Sequence, residues 1–262
     1  MIEINLRQSW ISTFLRCPEQ ARQERAGLVQ QQESSDMLRG NAVHYAIEEA
    51  GAAKLSGREV ELDMMLDAAE RYIADHAAEV DVWRTDLEPL VETVRANVEC
   101  WHAELNPILF PRPDGIERMF IKNMGVREVD GYDLPVKLNL VGTADWIDQS
   151  GVIWDWKNPS RHYEAWEKKR WDIQSHAYTW AHGLTQFNLA VFSKGKLQVI
   201  EIERTKEAQN AFVEMCWSIV PTMLSNAPTW PMRWEGWHCS PKWCSVWQAG
   251  RCRGEHLGQD PW

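Results

Sequence analysis

The chain is organised around the stretch GTADWIDQSGVIWDWKN, which runs from Gly142 to Asn158. Its second half is rich in β-branched and aromatic residues, a composition typical of a buried strand. Side chains two residues apart on a strand share a face, so Asp155 and Lys157 are expected to point the same way. Gln149, Ser150 and Gly151 have the composition of a hairpin turn, which would return Asp155 to Asp145. The sequence therefore predicts two carboxylates and a lysine on one sheet face.

This cluster of charges has two interpretations. A buried charge on a strand costs several kcal/mol unless it is paired or bound to a metal. Mg²⁺ favours one or two carboxylates together with water and phosphate oxygens, and a nearby lysine can position or deprotonate an attacking water. The alternative is an ordinary Lys-Asp ion pair on a half-exposed strand, and these residues alone leave both open. Glu167-Lys168-Lys169 also fits the acidic form of the short Asp-x-Lys pattern, but it lies in a helical run.

Composition narrows the class of protein. The 262 residues are 44% hydrophobic, which is ordinary for a globular chain able to bury a sizeable core. No run reaches the ~18 consecutive apolar residues of a membrane span, and the start lacks a signal-peptide apolar region, so we expect a cytoplasmic protein without a membrane partner. The net charge of −10 argues mildly against a nucleic-acid partner. A local basic cleft could still bind one.

The hydrophobic periodicity predicts a mixed α/β domain. Apolar residues at helical spacing indicate a helix from Ser9 to Gly27, interrupted at Cys17-Pro18. Further helices are expected over 37–50, 62–104, 163–183 and 207–224. Strands are expected over 117–122, 135–140 and 152–156, with a hairpin formed by 187–193 and 196–203.

Four short motifs occur in a suggestive order. These are Gly40-x3-His44, Gly142-x2-Asp145, Asp155-x-Lys157 and Gln174-x3-Tyr178. Together they resemble the motif series of the RecB-type nucleases in the PD-(D/E)XK superfamily. The resemblance implies an α/β, restriction-endonuclease-like mixed core sheet flanked by helices, with Mg²⁺ or Mn²⁺ bound at the edge of the sheet.

The resemblance also implies roles for individual residues. His44, Asp145, Asp155 and the carbonyl of Trp156 would ligate the metal, and Lys157 would orient or activate water. Gln174 and Tyr178 would contact the DNA strand or brace the site, and the basic run Lys168, Lys169 and Arg170 suits phosphate contacts. Weaker candidates are Glu117, Arg161 and His162, whereas Glu48 is interpreted as an exposed helix carboxylate.

The cysteines resemble those of the iron-sulphur branch of that family, which includes CRISPR-associated and helicase-linked members. In that branch Cys17, Cys239, Cys244 and Cys252 would hold a structural 4Fe-4S cluster that joins the two ends of the chain. The spacing Cys239-x4-Cys244 is wider than the usual two residues. Zn²⁺, with His238 or His256 in place of Cys17, therefore stays open as an alternative. Cys100 and Cys216 are predicted to be buried apolar residues.

These features lead to one expected function and a competing one. The expected function is a metal-dependent deoxyribonuclease, an exonuclease acting on single-stranded DNA or duplex ends in recombination, repair or CRISPR adaptation, similar to standalone phage enzymes. Recombinases or CRISPR adaptation proteins would be its partners, and a homo-oligomer is left open. The alternatives are a catalytically inactive DNA-binding subunit of a larger complex and an iron-sulphur redox protein. One nuclease domain over 1–262 is expected, with a helical insertion at 55–110 and a cluster-binding tail at 228–262 joined to Cys17.

Overall fold

A computed structural model describes residues 1–30, 32–233, 236, 238–240 and 242–252. The strands are β1 (Ile2–Arg7), β2 (Pro111–Arg127), β3 (Val136–Asp148), β4 (Ile153–Lys157), β5 (Gln186–Ser193) and β6 (Lys196–Glu203). The first five helices are α1 (Gln8–Arg16), α2 (Pro18–Arg25), α3 (Ser35–Leu55), α4 (Leu62–His76) and α5 (Leu87–Glu104). The others are α6 (Ala165–Trp171), α7 (Ile173–His182), α8 (Lys206–Ser218), α9 (Val220–Leu224) and α10 (Ser245–Gln248).

The chain divides into two compact units. Unit 1 consists of Met1–Gln32, Ile121–Val141 and Asn210–Trp262. Unit 2 consists of Glu33–Phe120 and Gly142–Gln209.

The strands form one mixed sheet of six, with the order β1-β3-β4-β5-β6 and with β2 also paired to β3. In unit 1, β1 lies parallel to the first half of β3, where Ile2 is opposite Val136. In unit 2, the second half of β3 pairs antiparallel with β4, β4 runs parallel to β5, and β5 forms a hairpin with β6. This confirms the predicted restriction-endonuclease-like core of a mixed sheet flanked by helices.

The core of unit 2 lies between the sheet and helices α3, α4 and α5. Trp101 of α5 packs edge-on against Trp146 of β3 and Trp156 of β4, with ring centroids 6.1 and 6.3 Å apart. On β4, Trp154 and Trp156 both belong to this core, so the alternation of the strand turns Asp155 to the other face. Four of the five β4 residues are buried, because the strand is central and covered on both sides.

Unit 1 has an aromatic core of its own. Trp230 lies 6.5 Å from Trp10 and 5.8 Å from Phe14, in edge-on contacts. Of the tryptophans after residue 229, Trp230 is thus a packing residue. The break between α1 and α2 falls at Cys17, as the Cys17-Pro18 pair predicts, because a proline cannot continue a helix.

Several predicted boundaries were wrong. The first element is strand β1, with alternating Ile2, Ile4 and Leu6, which was not among the predicted strands. Helix α1 then begins at Gln8, one residue before the predicted start at Ser9. The helix predicted over 163–183 is two helices that meet at Asp172. The Asp172 carboxylate accepts a hydrogen bond from the Ser175 backbone at 2.7 Å, which starts the second helix.

The remaining differences concern the lengths of elements. Strands β2 and β3 extend well beyond the predicted 117–122 and 135–140. The final helix is divided near Pro221 into α8 and α9. Among the described residues, no helix combines the length and apolar character needed to cross a bilayer.

Candidate active site

The β3-β4 hairpin brings Asp145 beside β4, as the turn composition predicts. Asp145 Oδ2 accepts a hydrogen bond from the Trp156 backbone at 3.2 Å. The third acid of the stretch, Asp148, has a different role. Its carboxylate accepts from the backbone amides of Ser150 and Val152 at 2.9 Å and from the Trp154 indole at 2.9 Å, so it fixes the turn.

His44 reaches the same place from helix α3. Its Nε2 lies 2.7 Å from the carbonyl oxygen of Trp156, and its Nδ1 lies 3.4 Å from Asp145 Oδ2. A carbonyl only accepts, so Nε2 carries a proton. In the neutral ring Nδ1 is then an acceptor that faces a carboxylate. Two acceptors that face each other in this way are an arrangement that a bound cation would stabilise.

Asp155 is buried at the centre of the cluster, and the side chain of Lys157 approaches it. Asp155 Oδ2 lies 2.7 Å from Lys157 Nζ, with the carboxylate 2% exposed and the lysine 33% exposed. Burial raises the pKa of Asp155, the charge of Lys157 opposes this, and Asp145 adds to it. Burial lowers the pKa of Lys157, but the carboxylates of Asp155 and Asp145 outweigh it and raise that pKa overall. Lys157 is therefore a cation in this state.

Helix α7 covers Asp155 from the other side. The side-chain amide of Gln174 donates a hydrogen bond to Asp155 Oδ1. One turn later, burial and the charges of Asp155 and Asp145 raise the pKa of Tyr178, so its hydroxyl stays protonated. Gly142 makes room for this packing, since a Cβ there would lie 2.9 Å from Phe120 and 3.4 Å from Tyr178.

Glu117 on β2 belongs to the same electrostatic cluster. Burial and the charges of Asp145, Glu48 and Asp155 raise the pKa of Glu117 to about 7, although its side chain is partly open to solvent. Its backbone has a φ of 43°, a conformation that costs a non-glycine residue about 1 kcal/mol or more. Glu48 is half-buried and its pKa is raised by burial and by Glu49, so the prediction of an exposed helix carboxylate was wrong.

The donor set fits a divalent cation. Among the described residues, no group of three or more His, Cys, Asp or Glu side chains is already closed into a metal cage. However, Asp155 Oδ2 is buried and, within the part of the chain that the structure describes, accepts no hydrogen bond of good geometry. Mutual repulsion among the carboxylates and the facing acceptors of His44 and Asp145 are the features that a bound cation would relieve. Mg²⁺ commonly binds through few carboxylates plus water, so an open site is expected for it.

The predicted DNA-contacting residues lie on helix α6, just before Gln174. Lys168 Nζ lies 4.2 Å above the ring of Tyr163, and the Arg170 guanidinium lies 4.6 Å from the ring of Trp171. Lys169 is exposed. Of the weaker candidates, Arg161 is exposed, and His162 Nε2 lies 3.2 Å from the Lys196 carbonyl oxygen on β6.

Unit 1 brings the four predicted cluster cysteines near one another. Burial, together with the charges of Cys17, Cys244 and Cys252, raises the pKa of the Cys239 thiol to about 11, so the other three lie within electrostatic range of Cys239. Among the described residues, however, no three His, Cys, Asp or Glu side chains are arranged as ligands of a metal ion. Cys17 and Cys244 are buried. His238 is described and its pKa is lowered by burial, but His256 lies outside the described residues. Cys216 is buried as predicted, with its pKa raised to about 12 by burial, whereas Cys100 is only half-buried.

Comparison with known proteins identifies the family. The family model described as the PD-(D/E)XK nuclease superfamily matches residues 6–249, which is most of the chain. The chain belongs to the PD-(D/E)XK nuclease superfamily. This superfamily membership confirms the coarser part of the resemblance, namely a nuclease fold of a kind that typically uses a metal.

Curated proteins and solved structures were also compared with the chain. A search of curated proteins found no match. The solved structure titled "Crystal structure of SSO0001" covers 93% of this chain and 96% of its own, with 11% identity and a TM-score of 0.35. That likeness is too weak to support any argument about this PD-(D/E)XK protein.

The sequence analysis missed Tyr163 and undervalued Glu117. Tyr163 is buried enough to have a raised pKa, to which Asp155 and Asp172 contribute, although Lys157 opposes the rise. Its position just after the Asp155-x-Lys157 strand was a signal for it. Glu117 carried no local pattern that distinguishes it from any other strand carboxylate, because its carboxylate neighbours and its backbone strain arise only in the folded chain.

Proposed function

We propose that this PD-(D/E)XK protein is a Mg²⁺- or Mn²⁺-dependent deoxyribonuclease that hydrolyses phosphodiester bonds from the ends of DNA. The observation that carries the proposal is the convergence of His44, Asp145, Asp155 and Lys157 at the ends of β3 and β4. Carboxylates, an imidazole and an ammonium group brought together from α3, β3 and β4 suit phosphodiester hydrolysis better than electron transfer.

Each side chain then has a distinct task. His44, the carboxylates of Asp145 and Asp155 and the carbonyl of Trp156 would hold the metal. When bound, the metal supplies charge neutralisation and a water whose pKa is lowered toward ~7. Lys157, held as a cation, would orient the attacking water and stabilise negative charge that develops on the phosphate. Gln174 fixes the rotamer of Asp155 through its hydrogen bond, and Tyr178 would contact the DNA strand as a neutral hydroxyl.

An end-labelled time course tests this function. Purified protein is incubated with 5′- or 3′-labelled single-stranded and double-stranded DNA, with Mg²⁺, Mn²⁺ or EDTA. We expect shortening that requires the divalent ion and disappears in Asp155→Asn. The matched control is Asp63→Asn, an exposed carboxylate on α4 of the same unit, which should cut like the wild type. DNA binding without any cleavage would instead support the alternative, a catalytically inactive subunit that guides DNA within a complex.

We further propose that Cys17, Cys239, Cys244 and Cys252 hold a structural 4Fe-4S cluster. The support is that Cys17, Cys244 and Cys252 all lie within electrostatic range of Cys239, and four thiolates are the ligand set of such clusters. Bound Zn²⁺ is the alternative. The cluster would join Cys17 to the tail at 228–262 within one nuclease domain over 1–262, and residues 55–110 would be its helical insertion. Recombinases or CRISPR adaptation proteins are the partners that a DNA-end exonuclease of this kind would serve.

A further inference from the structure

Helix α6 places two tryptophans in solvent. Trp166 is 60% exposed and Trp171 is 63% exposed, and none of the seven residues of α6 is buried. Exposed indoles of this size are informative, because large aromatic side chains otherwise supply core packing. They are five positions apart, which is about 7.5 Å along a helix axis.

The sheet and helix α7 hold α6 in place, although α6 buries nothing itself. Gln198 of β6 clamps the backbone of Tyr163, accepting from its amide at 3.0 Å and donating to its carbonyl at 2.9 Å. The buried Arg204 donates to the Lys169 carbonyl at 2.7 Å and to Ser175 Oγ at 3.0 Å. Arg204 therefore ties the last turn of α6 to the first turn of α7.

This anchoring sets α6 beside the candidate active site. Ser175 follows Gln174, whose amide donates to Asp155. Tyr163, which precedes α6, interacts electrostatically with both Lys157 and Asp155. The helix that carries the two tryptophans thus lies in the chain between Tyr163, which is within electrostatic range of Asp155, and Gln174, which is hydrogen-bonded to it.

The charge of α6 suits a polyanion. Lys168, Lys169 and Arg170 follow one another on a chain whose net charge is −10, so this run is a local basic exception. Arg170 and Trp171 are already in cation–π contact, yet Trp171 keeps most of its surface exposed. Basic groups interleaved with exposed aromatic rings are the combination that tracks phosphates and stacks bases in single-strand binding.

We propose that α6 is a base-stacking platform that selects single-stranded DNA, with Trp166 and Trp171 stacking on bases and Lys168, Lys169 and Arg170 contacting phosphates. This inference rests on the proposed nuclease function, because DNA bound on the platform would be directed to the candidate active site at Asp155. Bases paired in a duplex do not offer free faces, so binding through the indoles favours a single strand or a frayed end.

Oligonucleotides with and without bases test the platform. Binding is measured by fluorescence anisotropy with the Asp155→Asn protein, using labelled oligothymidylate, an abasic strand of equal length and a blunt duplex. We expect Trp166→Ala and Trp171→Ala each to weaken oligothymidylate binding about tenfold while changing abasic binding less than about twofold. Trp166→Phe and Trp171→Phe should retain most of the affinity. Trp83→Ala removes an exposed tryptophan elsewhere in unit 2 and should have no effect.

Other outcomes overturn the inference. Unchanged oligothymidylate affinity in both alanine variants excludes stacking, and equal losses on the abasic strand show that the tryptophans act only on the fold or on phosphate contacts. The inference is also overturned if the protein with both tryptophans intact binds the blunt duplex more tightly than oligothymidylate. Circular dichroism confirms that each variant is folded. Failure of the nuclease proposal is recognised separately, because the wild-type time course would then show no cleavage whatever the anisotropy shows.

Discussion

Asp155 and Lys157 form an ion pair that runs from the interior to the surface, with Asp155 Oδ2 2.7 Å from Lys157 Nζ and the two side chains 2% and 33% exposed. The two partners are therefore not equivalent. If Asp155 is neutralised, Lys157 can still reach water, but if Lys157 is removed, a buried carboxylate is left beside Asp145. The free energy of unfolding should respond differently to the two changes.

We therefore expect Lys157→Ala to lower the free energy of unfolding by about 2 kcal/mol in metal-free buffer, less than for a fully buried pair because Lys157 is partly hydrated. Asp155→Asn should lower the free energy of unfolding by less, and the double variant should be more stable than Lys157→Ala alone. Urea denaturation of all three variants measures the coupling. Equal losses of unfolding free energy in the two single variants would show that the two partners of the ion pair are equivalent, which would contradict the prediction. Cleavage should fall about 100-fold or more in either single variant.

We expect Glu117 to lower the stability of the metal-free protein while increasing the rate of cleavage. Burial and the repulsion from three carboxylates make the ionised side chain unfavourable without a cation. In EDTA at pH 8, Glu117→Gln is expected to stabilise the protein by about 1 kcal/mol, a small value because the side chain is partly exposed. Mg²⁺ should then raise the Tm of the wild type more than that of the variant, and the variant should cleave more slowly. Glu92→Gln on α5 is the exposed control, and a larger Mg²⁺ effect in Glu117→Gln would contradict the prediction.

Two glycines of helix α3 should respond oppositely to alanine. A Cβ at Gly51 would clash with Ile116 and lie 2.7 Å from the Trp146 ring, whereas one at Gly40 would meet nothing within 4 Å. Gly51→Ala is expected to destabilise the fold by about 1–3 kcal/mol through overpacking. Gly40→Ala should stabilise it by up to about 1 kcal/mol, because alanine is the better helix former. Urea denaturation checks both, and stabilisation by Gly51→Ala would be incompatible with the observed packing.

His176 should make the protein sensitive to mild acid. Burial and the charge of Arg204 lower the pKa of His176 to about 4. The unfolded chain, with an ordinary histidine pKa near ~6.5, binds the proton first, so stability should fall as pH falls from about 6.5 to 4. We expect this group to contribute about 1–2 kcal/mol, allowing for its half-exposed position. The Tm of His176→Gln should therefore fall less steeply over that range, while His162→Gln should follow the wild type. Parallel curves for all three proteins would exclude His176 as the cause.

The cysteines of unit 1 can be tested by colour and metal content. If they hold a 4Fe-4S cluster, anaerobically purified protein should be brown, and Cys17→Ser or Cys252→Ser should lose both the colour and part of the thermal stability. Cys100→Ser, on α5 in unit 2, should keep the colour. A colourless protein with one zinc per chain would point to the alternative metal.

The β3-β4 hairpin and its acids could be predicted because their signals are local. Alternation on β4, the turn at Gln149 to Gly151 and the Asp155-x-Lys157 spacing all lie within a few residues, and a strand period of two fixes which side chains share a face. The break at Cys17-Pro18 is equally local. By contrast, the division at Asp172 was missed, because an aspartate within a helical pattern marks a new N-terminus only when the chain actually turns there.

By itself, the sequence determined the fold class, the order of the motifs and the residue types available for chemistry. Only the tertiary structure decided which of them meet. His44 contacts the carbonyl of Trp156 across 112 positions of the chain, and Glu117 gains its raised pKa and strained backbone from a sheet that no local pattern encodes. The same holds for α6, whose tryptophans would ordinarily be assigned to a core. Burial depends on long-range packing, so it was the folded chain that left Trp166 and Trp171 exposed to solvent on α6.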